Sequence, residues 1–475
     1  MPEAASNSFP KQIKYIVGNE ACERFSFYGM KSILVIFMTT HLMIAAGNAE
    51  ASYHLFVSAC YLLPLLGGFL ADRFLGKYKT VLYLSFIYCL GHFVLAMSDS
   101  REGLYWGLGF IALGTGAIKP CVSAIVGDQF NKSNEHLLKK VFDWFYFSIN
   151  FGSFFSTLLI PFLLVKSGPN IAFGIPGVLM AIATFIFWLG RKQYVMVPPT
   201  GKNGPTGFMS ILLYSLTHTK DRKEGQSMLD VAKAKYPSED VEAAKSAADI
   251  FKVFFTVSIF WALYDQNGSS WVLQAEKMDR NIWGMHLEAA QIQAINPILV
   301  MILIPFFSFV VYPLVEKFGF KVTPLRKMSA GMLTAAFSFI IVALIQSALD
   351  SGHNVNVIWQ GLAFLILTCS EVMVSITGLE FAYTQAPRSM KSTIMSFWLL
   401  TVFAGNFLTA FIAKANVFEG AMYFYFFAAL MFVVSFIFVW SAIRYKVRDF
   451  IEKASSGTSG TFAAESGPTG CTGAT

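Results

Sequence analysis

The chain has 475 residues, of which 55% are hydrophobic and 16% aromatic while only 14% are charged, and its mean hydropathy is +0.54. Soluble domains carry about 25% charged residues, so that class is excluded. The net charge of +7 falls in short polar intervals between long apolar runs, which argues for basic loops beside a bilayer and against nucleic-acid binding.

The start, MPEAASNSFPKQIK, is polar and lacks a short apolar core followed by a small-residue cleavage site, so a retained first span is expected and not a removable signal. About twelve apolar runs follow, each near the length of about 20 residues that crosses a hydrocarbon core about 30 Å thick. They lie near 15–42, 53–72, 78–98, 103–128, 139–165, 170–190, 251–275, 288–317, 325–348, 357–385, 389–415 and 420–445. The longest polar interval divides six from six. The expected organisation is an N-terminal six-helix bundle at 1–190, a cytoplasmic linker with helical pieces at 191–250, and a C-terminal six-helix bundle at 251–450. Within the linker, GFMSILLYSL is too short to span, and DVAKAKYPSEDVEAAKSAADIFK suits a surface helix. The Gly/Ser/Thr-rich stretch 451–475 has too little apolar content to fold and reads as a disordered tail. Cys22, Cys60, Cys89, Cys121, Cys369 and Cys471 stand singly, which implies packing, with neither a disulfide frame nor a zinc site.

Lys and Arg are retained on the cytoplasmic side of a membrane protein. With the N-terminus inside, the basic residues between spans crowd one face: Lys11 and Lys14, Arg73, Lys77 and Lys79, the central loop, Lys317, Lys321, Arg326 and Lys327, then Arg444 and its successors. The other face keeps only Arg101, Lys166, Lys277, Arg280 and Lys414. Both termini and the central loop are therefore expected in the cytoplasm.

The first span is GNEACERFSFYGMKSILVIFM, and it carries Glu20, Glu23, Arg24, Tyr28 and Lys31 at steps of three and four, along one helical stripe. A lone charge at the bilayer centre costs at least about 2.5–3.5 kcal/mol, so this stripe must face partners or a water-filled cavity. An internal salt bridge is one reading, and an ion or proton pathway is the other. Further ionisable groups lie within other spans: His54 in the second, Lys119 beside Pro120 in the fourth, Asp265 in the seventh, and Glu371 and Glu380 in the tenth. His54 has the one side chain whose ordinary pKa, about 6.5, allows proton exchange at physiological pH.

Three stretches carry a resemblance. E-x-x-E-R-F-x-F-Y-G at 20–29 and FYFSINFGSF at 145–154 are similar to two signatures of the proton-dependent oligopeptide transporters. GGFLADRFLGKYKT, at 67–80, resembles the loop between spans two and three of the major facilitator superfamily, and FWALYDQNGSSW and ITGLEFAYTQAP look like the animal peptide carriers. The resemblance implies an all-α membrane protein of the major facilitator superfamily fold, about twelve transmembrane helices in two six-helix bundles. It implies a symporter of the plasma or inner membrane, not an enzyme. Protons would be the coupling ion with no cofactor, di- and tripeptides and peptide-like drugs the substrates, and the working unit a monomer.

Carried over position by position, the resemblance implies a proton-responsive network of Glu20, Glu23 and Arg24 with Lys119. Tyr28, Lys31, Tyr61, Lys119 and Asn150 would line the substrate site in the first half, and Glu380 would receive the peptide amino terminus from the second. His54 and Asp265 would take part in proton coupling. Trp271 and Trp398 are candidate walls, with packing as the alternative. Three departures stand out: Phe27 replaces a tyrosine of the signature, Lys31 replaces the arginine of many members, and Ser270 stands where animal carriers place a basic residue. Anion carriers share the first signature, and an acid in the cavity would disfavour that activity. An intramembrane enzyme finds no G-x-S-x-G or H-E-x-x-H to support it, and a receptor that binds peptide without moving it stays open.

Overall fold

The computed structural model describes residues 9–131, 134–199, 207–223 and 225–445. The expected tail at 451–475, with Cys471, lies outside the described residues. The first six long helices are α1 (Ile13–Ile36), α2 (Ala46–Leu70), α3 (Lys77–Met97), α4 (Arg101–Asp128), α5 (Leu138–Ser167) and α6 (Pro169–Leu189). A short apolar helix, α7 (Phe208–Thr217), follows in the connecting segment. The second set comprises α8 (Ser238–Tyr264), α9 (Ser270–Glu276), α10 (Ile295–Phe306), α11 (Tyr312–Lys317), α12 (Pro324–Asp350), α13 (Ile358–Glu371), α14 (Thr377–Gln385), α15 (Lys391–Ala415) and α16 (Ala421–Arg444).

Several of these join end to end into single spans. A π-turn prolongs α1 over Phe37–His41, another joins α10 to α11 over Phe307–Val311, and a third joins α13 to α14 over Val372–Ile376. Among the described residues, eleven helical stretches are long and apolar enough to cross a membrane. The twelfth traverse is α1, whose central charges exclude it on composition although its length suffices. An even number of traverses returns Ile13 and Arg444 to one side, termed here the terminal face, and the far side is the opposite face.

Local sequence explains the ends. The Ser100 hydroxyl accepts from the Gly103 amide at 3.0 Å to start α4, and Thr323 does the same for α12 through Arg326. Gly76 turns the chain between α2 and α3 at φ 77°, a conformation that a side chain resists.

Buried apolar residues gather in two main clusters. One runs from Ile13 to Tyr194 and contains α1–α6, and the other runs from Phe208 to Phe438. Trp271 and Trp398 belong to the second, where Trp271 packs against Phe339 and Phe364 and Trp398 against Phe254 and Trp261. Their role is packing.

The linker boundary differs from expectation. The surface helix expected before residue 250 and the seventh span are one helix, because α8 runs unbroken from Ser238 and buries Val241, Ala244, Ala247 and Ile250 along one face. Its start is fastened by a surface cluster in which Lys233 and Lys245 each pair with both Asp230 and Glu242. The Lys245 ammonium, with Lys233 and Ser227, holds the Asp230 carboxyl well below the usual carboxylate range.

Candidate functional site

The α1 stripe is buried as its composition requires. Arg24 Nε lies 2.6 Å from Glu20 Oε1 and 3.0 Å from Glu23 Oε2, and all three residues are shielded from solvent. The Thr115 hydroxyl donates to Glu23 at 3.5 Å. Lys119, expected in one network with these residues, has its ammonium over two rings, 4.6 Å from the centre of Phe27 and 4.4 Å from that of Tyr61, and among the described residues it meets the acids through the field. Phe27, the departure from the signature, thus supplies a π face to a cation.

Lys31 sits two turns further along α1 and reaches into the second half. Its ammonium is 3.2 Å from Asp265 Oδ1, at the point where the seventh span breaks between α8 and α9. Gly268 lets the Tyr53 ring pack against that break, because a Cβ there would collide with the Tyr53 hydroxyl. The other Asp265 oxygen accepts from Asn406 Nδ2 at 2.7 Å. Asn406 Oδ1 lies 2.8 Å from His54 Nδ1, and His54 Nε2 lies 2.8 Å from the Ser269 hydroxyl. Since Asn406 donates to Asp265 through its nitrogen, its oxygen accepts, and His54 Nδ1 carries the hydrogen. Nearby, the Ser58 hydroxyl donates to the Phe403 carbonyl at 3.2 Å, and Gln293 donates to that of Ser32 at 3.2 Å. These links join the two sets of helices in the part of the spans towards the opposite face.

In the tenth span the structure separates two carboxyl groups. Glu371, at the end of α13, accepts from Asn296 Nδ2 at 2.8 Å, the Tyr264 hydroxyl donates to Asn296 Oδ1 at 3.5 Å, and the field of Glu371 reaches Tyr28 and Tyr146. Glu380, in α14 beyond the π-turn, is exposed. Glu380, which the resemblance implies as the receiver of the peptide amino terminus, is exposed, and the acid of this span whose field reaches Tyr28 on the α1 stripe is Glu371. Asn150 is buried beside Tyr146, to whose carbonyl its Nδ2 donates at 2.9 Å, and Tyr146 shares the field of Glu371.

Thus Glu20, Glu23, Arg24, Tyr28, Tyr61 and Lys119 form one neighbourhood, and Lys31, His54 and Asp265 a second, while Glu380 joins neither. Among the described residues no set of three His, Cys, Asp or Glu is placed to hold a metal ion.

A family model described as "POT family" matches residues 78–419. The chain belongs to the POT family. Human solute carrier family 15 member 2 is 37% identical to it over 400 residues, covering 80% of this chain and 55% of that protein. Peptide transporter 3 of Caenorhabditis elegans is 39% identical over 359 residues, covering 71% of this chain and 51% of that protein. The chain thus spans about half the length of the curated relatives it matches. A crystal structure of the POT family transporter PepTSo is 41% identical and superposes with a TM-score of 0.87 over 93% of this chain and 99% of that one. This POT member is a multi-pass membrane protein with the all-α architecture of the major facilitator superfamily.

Asn406, Ser269, Tyr264 and Asn296 were not singled out from the sequence, although Asn406 is the one amide in α15. That is a legible signal, because an amide inside an apolar span needs a partner.

Proposed function

We propose that this protein is a proton-coupled symporter of di- and tripeptides and peptide-like molecules that works by alternating access. The observation that carries the reading is the placement of opposite charge on the two sets of helices: Arg24, Lys31 and Lys119 on the first, Glu371 on the second. A di- or tripeptide is a zwitterion about 7–11 Å long at the extended-chain limit. Its carboxylate finds cations on α1 and α4, its ammonium finds Glu371, and Tyr28, Tyr61 and Asn150 stand between. An anion carrier has no use for Glu371 in this position. The names of the relatives, peptide transporters among them, agree with this reading.

Each pole belongs to a different bundle, so a bound peptide draws the two six-helix halves, α1–α6 and the spans from α8 to α16, together, and rocking about the midplane then exposes it to the other side. Release of the Lys31 to Asp265 pair would free the opposite face. Proton entry supplies about 2.3 kcal/mol per charge per 100 mV, with His54, Asp265, Glu20 and Glu23 as the carriers and Arg24 and Lys119 as their counter-charges. The positive-inside asymmetry supports a cytoplasmic terminal face in the plasma or inner membrane, and the unit is a monomer. Counterflow of labelled dialanine in proteoliposomes tests this: exchange of dialanine but not of nitrate is expected, and binding without exchange, or exchange of nitrate alone, would overturn it.

A further inference from the structure

The ten residues of α7 reach about 15 Å, half of what a span needs, so this helix does not cross the bilayer. Its depth is fixed by aromatic contacts. The Phe208 ring lies 5.1 Å, centre to centre, from Phe397 in the second turn of α15, and Phe397 lies 4.6 Å from Phe251 on α8. Both spans turn apolar at these two side chains, so α7 begins level with the edge of the hydrocarbon at the terminal face. Near the same face Trp440 is exposed on α16 with the Arg444 guanidinium 3.9 Å from its ring centre, a pairing that suits the headgroup layer. Around α7 the side chains fall into three sectors. Phe208, Ile211 and Ser215 are buried against the protein. Met209, Leu213 and Leu216, at steps of four and three, form the next sector, and half or more of each residue is open. Ser210 and Thr217 form the third and are exposed. A helix lying along the flank of a membrane protein meets protein, hydrocarbon and water in that order. Directly after it, HTKDRK at 218–223 exposes Lys220, Arg222 and Lys223 against the single Asp221. Among the described residues none of the three cations makes an ion pair, and only Arg222 is engaged, through Nε to the Gln226 carbonyl at 2.7 Å.

We infer that α7 and the basic turn after it form a seat for anionic lipid in the leaflet at the terminal face, with Met209, Leu213 and Leu216 among the upper acyl chains and Lys220 and Lys223 beside the headgroup phosphates. A protein partner fits less well, because a stable interface buries about 800 Å² per partner, far more than three side chains of a ten-residue helix present. A bilayer needs no such area, since it already surrounds the spans that α7 packs on. The charge then selects the lipid: each Lys or Arg near the surface favours an anionic headgroup about five-fold. Because Phe208 packs on α15, the seat holds the second set of helices to that leaflet.

The test attaches bimane at Leu216→Cys, and separately at Ser210→Cys, in the full chain in nanodiscs of equal parts phosphatidylcholine and phosphatidylglycerol. The signal of the unsubstituted chain, which has cysteines of its own, is subtracted. Both positions are exposed, so folding is not at stake. Lipid brominated near the top of the acyl chain should quench the label at position 216 about three-fold more than at 210, and aqueous iodide should do the reverse. With one lipid brominated at a time, phosphatidylglycerol should quench at position 216 at about five-fold lower mole fraction than phosphatidylcholine. Lys220→Gln with Lys223→Gln leaves Arg222 and Asp221 in balance and should cut that preference below about two-fold. Equal access of iodide to both labels would overturn the seat, and shielding of position 216 from iodide and brominated lipid alike would place a protein surface there instead. A preference absent from the unsubstituted lysines, or kept in the double variant, would overturn the choice of anionic lipid. Transport plays no part in the readout, so failure of dialanine counterflow leaves this result standing.

Discussion

Replacing Glu371 by glutamine removes one charge and little else. Asn296 donates to this side chain through its amide nitrogen, and an amide oxygen accepts the same bond, so the local packing survives. Truncating one partner of a desolvated, hydrogen-bonded charge pair costs on the order of 2–5 kcal/mol. With the acceptor retained, the lower part of that range applies, about 2–3 kcal/mol, or roughly 30- to 150-fold in affinity. Glu371→Gln should weaken a free-amino dipeptide by that factor, measured by ligand-induced thermal shift or by competition with a labelled dipeptide. An N-acetylated dipeptide, which brings no ammonium, should lose less than about three-fold. Glu380→Gln should change neither ligand by more than about two-fold, because an exposed carboxylate outside the site exchanges one solvated group for another. Equal losses for the two ligands in Glu371→Gln, or a loss in Glu380→Gln that matches it, would refute the assignment of the amino-terminal pole to Glu371.

Four further outcomes follow from the same geometry. Lys119→Ala should abolish proton-driven accumulation while leaving measurable peptide binding, since it removes a counter-charge to the α1 acids without breaking a direct bond; uphill uptake at the wild-type level would contradict this. His54→Gln should flatten the pH dependence of uptake, and an unchanged profile would reduce His54 to a structural link. Lys31→Ala cuts the ion pair between the halves, so a cysteine placed at Ser58 should react with an impermeant maleimide about ten-fold faster, which corresponds to about 1.4 kcal/mol in the opening equilibrium; an unchanged rate would show that this pair does not hold the opposite face. Asp230 has a folded-state pKa below its unfolded one, so its contribution to the linker is present above the unfolded value, near pH 4, and is lost as the pH falls; proteolysis within 207–245 should therefore speed up on acidification, and Asp230→Asn should already be fast at pH 7.

The spans were legible because about 20 consecutive apolar residues have few other uses, and the α1 stripe because charges in such a run demand a common face. The tenth span was not. Its two acids look alike as letters, and only the turn count and the position of the π-turn decide which one faces inward. The start of α8 was misjudged for a related reason: the change from charged to apolar composition near residue 250 marks where the helix enters the hydrocarbon, whereas its first turns begin at Ser238. The partners of His54 could not be read at all, since Asn406 and Ser269 lie more than 200 residues away in sequence. What was available was the weaker statement that each buried polar group must find a partner.

The bond between His54 and Asp265 by way of Asn406 has a further consequence. Water and hydroxyl groups pass protons by taking one on the oxygen and giving up another from the same atom. A carboxamide takes a hydrogen at its oxygen and gives one from its nitrogen, and completing that relay would require an imidic acid tautomer. Asn406 therefore behaves as an electrical insulator with good field coupling: a change of charge on His54 is felt at Asp265, and through it at Lys31, but no proton travels along that line. The imidazole and the carboxylate are two separate terminals, each of which must be loaded and emptied by its own route.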